Sequence, residues 1–126
     1  MSARGARPAW LGVWLPLLVY VGIIFTLSAQ PYLAPPFHFR NGDKVAHTLE
    51  YGGLGVLLAR AARSRPGWDR PLAGGLLGFF VGLAVAAADE RFQAFIPGRD
   101  SSVFDWMADA GGLILGQLAY LAMRRE

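Results

Sequence analysis

The sequence predicts an all-α fold: a polytopic membrane bundle of four transmembrane helices, with a polar cluster at the extracytoplasmic side. Three observations carry that prediction. The chain has 126 residues and is 54% hydrophobic, above the usual range of soluble domains. Residues 8–39 and 71–88 contain no Asp, Glu, Lys or Arg, and charge-free runs of about 18 or more residues read as membrane spans. Soluble helices instead keep a polar face along their whole length, whereas here the ionisable residues crowd the ends of apolar stretches. The length suits one domain over residues 1–126, and no convincing internal repeat is visible.

The first helix is expected over about residues 10–27. Arg4 and Arg7 precede it, as in a signal peptide. The run is long for such a leader and no clear small-residue cleavage site follows, so a retained helix is expected. Pro16 is a candidate kink. In the following "AQPYLAPPFHFRNG", Pro31, Pro35 and Pro36 discourage a helix. The second helix is expected over residues 43–62, with Asp43 as its N-cap. A basic loop, "RSRPGWDRP", leads to a third helix over residues 72–88. The segment "DERFQAFIPGRDSSVFDW" either extends that helix or re-enters as a loop. The fourth helix is expected over residues 102–123.

Orientation follows from the basic residues. Of the 12 Lys and Arg, eight (Arg4, Arg7, Arg60, Arg63, Arg65, Arg70, Arg124, Arg125) fall on one side of this arrangement and four (Arg40, Lys44, Arg91, Arg99) on the other. The positive-inside rule then places the protein in the cytoplasmic membrane with both termini cytoplasmic. Most of the acids lie on or near the opposite, outer side. Acidic residues hardly affect topology, so their clustering needs another cause.

On the second helix, Asp43, His47, Glu50 and Tyr51 form one stripe. At the end of the third, Asp89 and Glu90 share a face with Gln93 if the helix continues. The fourth repeats the scheme with Asp105 and Asp109 above Gly112 and Gly116. A carboxylate in hydrocarbon costs several kcal/mol, so such groups face the bundle interior and find partners. Lys44, His47, Arg91 and Arg99 are the available counter-charges. Capping and mutual pairing explain Asp43 and Asp105, because acids in a first turn complement the helix dipole. They explain His47, Glu50, Asp89 and Glu90 less well.

Gly74, Gly78, Gly82 and Ala86 recur every four residues. Small residues at that spacing make a packing seam in lipid, and the seam points Glu90 inward. The pairs Gly52–Gly53, Gly74–Gly75 and Gly111–Gly112 are expected to weaken their helices locally. His47 and Glu50, with Asp89 or Glu90, offer a weak metal signal, and the sequence names no cofactor. The absence of cysteine excludes disulfides and thiolate metal sites. No Ser-His-Asp spacing is present, "PGRDSS" lacks the glycine spacing of a phosphate loop, and a net charge of +3 set in loops indicates no nucleic-acid partner.

The blocks "DKVAHTLEY", "DERFQAFIPGR" and "DWMADAGG" together resemble the VanZ-like family of small membrane proteins, over roughly residues 10–123. By that resemblance Asp43, Lys44, His47 and Tyr51 take the positions of the first block. Asp89, Glu90, Gln93, Pro97, Gly98 and Arg99 take the second, and Asp105 and Gly112 the third. Asp109 departs from the family's usual Asn. It poses either an extra charge, with Arg99 or Lys44 as the nearest cation, or a carboxyl held neutral by burial. The family is named for a protein associated with low-level resistance to the glycopeptide teicoplanin, and the resemblance implies a link of that kind.

Three functions suit these residues. The first is binding or remodelling of a lipid head group or lipid-linked cell-wall precursor. Lys44 and Arg99 would hold a phosphate, while Asp43, Glu50, Tyr51, Gln93, Asp105 and Asp109 complete the binding set. The second is an intramembrane enzyme in which His47 acts as acid or base with Glu90 or Asp89. The third is a structural bundle latched by internal charges. Binding ranks first, because acid–base groups are present without an evident nucleophile or a complete metal set.

Overall fold

Four helices and no strand make up the residues described by the computed structural model, which are 9–31, 37, 39–64, 71–99 and 102–124. They are α1 (Ala9–Ser28), α2 (Gly42–Arg63), α3 (Pro71–Gln93) and α4 (Val103–Met123). α1 continues through Pro16. α3 opens on Pro71, whose missing N–H is no loss at a first helical position. It also runs beyond the expected end at Ala88, through Asp89, Glu90 and Gln93. Of the two readings of "DERFQAFIPGR", the helical one therefore holds as far as Gln93. A turn follows, in which the Arg99 amide donates to the Ile96 carbonyl at 3.2 Å. Pro97 and Gly98 occupy its centre, and the φ of 76° at Gly98 is what a type II turn needs at its third position.

The expected N-cap of α2 is corrected. Asn41 holds that position, left-handed at φ 62°, and its side chain makes no cap bond. Asn is among the few residues that tolerate this region. Gly42 follows because a Cβ there would sit 2.8 Å from the Phe37 carbonyl. Asp43 is displaced into the first turn. α4 starts as a capped helix should: Ser102 Oγ accepts the Asp105 amide at 3.1 Å, with Asp105 in the first turn.

Among the described residues, the most extensive contact joins α2 and α4, while α1 lies against α2 and α3. Glycines explain the α2–α4 closeness. A Cβ on Gly112 would strike the Thr48 carbonyl, one on Gly116 the Gly52 carbonyl, and one on Gly55 the Leu113 backbone. The paired glycines do not interrupt their helices. Gly112 is a point of close approach, and Gly53 makes room for the Tyr20 ring. On α3, Gly74, Gly78, Gly82 and Ala86 form a buried row, with Leu58 and Leu113 filling the space at Gly82. Ile24, Tyr51, Leu54 and Leu113 are the centre of the core.

Two of the four helices are long and apolar enough to cross a membrane, over Trp10–Ser28 and Leu72–Gln93. Most of their surface is outside the core, and Leu18, Ile23, Leu72 and Phe80 are exposed. A core helix of a soluble protein would bury such side chains. α2 and α4 fall short of the same test because they carry most of the polar residues.

Candidate functional site

The end of α1, the start of α2, the end of α3 and the start of α4 meet, and their polar side chains meet with them. Three linked groups result. At the mouth, Lys44 Nζ lies 2.6 Å from Asp43 Oδ2 and 2.7 Å from Asp105 Oδ1, so α2 is clamped to the first turn of α4. One turn deeper, His47 Nδ1 is 2.7 Å from Asp109 Oδ1 and 3.7 Å from Glu90 Oε1. The shorter separation is a hydrogen bond, with one proton shared between the imidazole nitrogen and the Asp109 carboxyl oxygen. Beside this pair Asp89, 1% exposed, accepts from the Tyr51 hydroxyl at 2.8 Å and from the Ser28 hydroxyl. Gln93 Nε2 donates to Ser28 Oγ at 3.0 Å.

The glycine geometry sets these positions. The row from Gly74 to Ala86 turns α3 so that Glu90 is buried, as its spacing implies, and Gln93 and Asp89 follow on the same side. Gly112 and Gly116 bring α4 close enough for Asp109 to reach His47. The Thr48 hydroxyl donates to the Lys44 carbonyl at 2.8 Å and lies 3.4 Å from the Ala108 carbonyl of α4, so it is satisfied at the crossing.

His47, Tyr51, Asp89, Glu90, Gln93, Asp105 and Asp109 are thus brought together, with Lys44 at their edge. Glu50 is half-buried, close enough to Asp89, His47 and Arg99 for their charges to act on it. Asp43 stands apart: its side chain is 51% exposed and contacts Lys44. The partner beside Asp109 is His47, in place of Arg99 or Lys44. Arg91 is exposed, and neither it nor Arg99 forms a salt bridge with a described residue.

Ser28 and Tyr20 were not among the sequence candidates. The Tyr20 hydroxyl donates to the Glu50 carbonyl, and Ser28 completes the Asp89 group. A polar residue closing an otherwise apolar span was the available signal for Ser28, but the expected helix stopped one residue short of it. The metal-capable group also differs from the expected one. His47, Glu90 and Asp109 offer ligand atoms within 4.8 Å of one another, so Asp109 of α4 stands where Glu50 was expected.

A family model described as VanZ/LLP1 matches residues 13–124. The chain belongs to the VanZ/LLP1 family. No curated protein and no solved structure matches it. The three sequence blocks that resemble the family lie on α2, α3 and α4 and supply every described side chain of this site except Ser28 of α1. Family membership and the two apolar helices together support a membrane protein.

Proposed function

We propose that this VanZ/LLP1 chain is a multi-pass protein of the cytoplasmic membrane whose polar cavity, at the extracytoplasmic end, binds or remodels a lipid head group or lipid-linked cell-wall precursor. One observation carries the reading. Buried Ser28, Asp89 and Asp109 and partly buried His47 come from four different helices and converge at one end of the bundle.

All four helices span the bilayer in this proposal. Their 20 to 23 residues reach roughly 30–35 Å, which matches a hydrocarbon core of about 30 Å. α2 turns His47 inward and α4 turns Asp105 and Asp109 inward, and the two helices leave Leu49, Phe104, Met107, Leu115 and Leu118 exposed to lipid. The excess of Arg at the opposite end keeps that end, and both termini, in the cytoplasm.

The charges narrow the ligand. Acids outnumber bases in the cluster, so it suits an amine or sugar hydroxyls. Arg99, half-buried after the Pro97–Gly98 turn, suits a phosphate at the rim. A head group that carries both fits best. The family's association with glycopeptide resistance agrees with an envelope ligand of this kind.

The His47–Asp109 bond favours a second reading. A carboxylate that orients an imidazole is the arrangement of a general acid–base pair, and with Asp89 or Glu90 it would process the bound lipid.

A ligand that binds only the folded state raises its stability. Thermal melting of the detergent-solubilised protein with lipids of different head groups is therefore the test. One class should raise the melting temperature of wild type but not of Arg99→Ala or His47→Ala. Equal shifts for every head group would reject the binding site. Turnover of the stabilising lipid would select the enzyme.

A further inference from the structure

We propose that His47, Glu90 and Asp109 hold one divalent first-row transition-metal ion, with Zn2+ as the first to test. The three residues come from α2, α3 and α4, and their ligand atoms lie within 4.8 Å of one another. In a tetrahedral site with metal–ligand bonds near 2.0 Å, neighbouring ligand atoms sit roughly 3.3 Å apart. The distances from His47 Nδ1, 2.7 Å to Asp109 Oδ1 and 3.7 Å to Glu90 Oε1, bracket that value. Small side-chain shifts open one and close the other.

A second observation points to a ligand. Asp109 is fully buried, and its Oδ2 has no hydrogen-bond partner among the described residues. A buried carboxylate oxygen left in this way costs free energy, and a cation satisfies it.

The donor set selects the kind of ion. Ca2+ prefers six to eight oxygens, and Mg2+ keeps oxygen ligands and several waters. One nitrogen with two carboxylate oxygens suits Zn2+, Mn2+ or Fe2+ better. Three protein ligands leave a coordination position open, as in metal sites that take up an exogenous oxygen. Such an ion would also let an acid-rich cavity accept an anionic head group. Metal binding itself does not rest on the lipid reading, and its test uses no lipid.

The protein, purified in mild detergent, is stripped with a chelator and titrated with Zn2+ in a competing-chelator buffer. Bound metal is then read by mass spectrometry. Wild type should bind a single ion per chain, and so should Gln30→Ala, an exposed control. His47→Ala and Asp109→Ala should weaken binding by at least the roughly 100-fold that even an outer-shell loss can cost. Because a variant can fail by misfolding, Asp109→Cys supplies a gain of signal. The chain has no cysteine of its own, so Co2+ should acquire a thiolate charge-transfer band in this variant alone. The proposal is overturned if wild type binds no ion in stoichiometric amount. It is equally overturned if folded His47→Ala and Asp109→Ala bind as well as wild type, or if Asp109→Cys gives no such band.

Discussion

His47 Nδ1 lies 2.7 Å from Asp109 Oδ1 and joins α2 to α4 beside their closest approach. The pair is largely removed from water, with the histidine side chain 14% exposed and the aspartate 0%. Removing one partner of a buried ion pair leaves a charge without compensation and costs about 3–5 kcal/mol, whereas replacing both by apolar residues is often neutral. In chelator-treated protein, His47→Ala is therefore expected to lower stability by that order, and His47→Leu with Asp109→Leu to recover most of it. A double-mutant cycle by denaturant unfolding in detergent checks this. Additive single losses would mean that the two side chains are not coupled.

Adjacent glycines should behave oppositely. A Cβ at Gly111 meets nothing within 4 Å, whereas at Gly112 it runs into the α2 backbone around Thr48 and Gly52. Backbone cannot yield as a side-chain end can. Gly112→Ala is expected to cost about 3 kcal/mol, the upper end of overpacking penalties, and Gly111→Ala to be tolerated. Melting temperatures of the two purified variants compare them directly.

These glycines show what could be read without coordinates. The four-residue spacing on α3 identified its buried row and the inward aim of Glu90, because helical period alone determines which residues share a face. Asp105 in the first turn of α4 was legible for the same reason. Which cation meets Asp109 was not, since the choice among His47, Lys44 and Arg99 depends on how far α4 slides along α2. That register is set by backbone contacts at Gly52, Gly112 and Gly116, and sequence spacing does not report it. Asp43 was misjudged because Asn41 can take a left-handed conformation, which starts the helix at Gly42 and turns Asp43 to solvent.

The Asp89 group offers a cleaner probe than the ion pair. Tyr51 is fully buried and donates to Asp89 at 2.8 Å. Tyr51→Phe keeps the ring and deletes only the donor, so it should cost about 1–3 kcal/mol. Ser28→Ala removes a donor to Asp89 and the acceptor of Gln93, and should cost a similar amount. Unfolding in detergent measures both. No loss in either variant would show that Asp89 is satisfied by other means.

Topology is tested by labelling introduced cysteines. Gly42 and Gly98 are poor sites, because Gly42 packs against Phe37 and Gly98 has φ 76°. Arg40 and Ala94 are exposed at the same end of the bundle. Arg40→Cys and Ala94→Cys should react with an impermeant thiol reagent in intact cells. Labelling only after permeabilisation would place the cavity on the cytoplasmic face.

The buried polar cluster is proposed to be a ligand site and not only a latch. The most direct measurement is the lipid that stays with the protein after gentle extraction from its own membrane, analysed by mass spectrometry against the bulk lipid. The comparison is between wild type and His47→Leu with Asp109→Leu, a pair of changes that removes the chemistry while sparing the packing. Wild type should retain one head-group class well above its bulk share. The double variant should be present at similar abundance and carry lipid of bulk composition. The same enrichment in both proteins, or none in wild type, would leave the cluster a latch and not a ligand site.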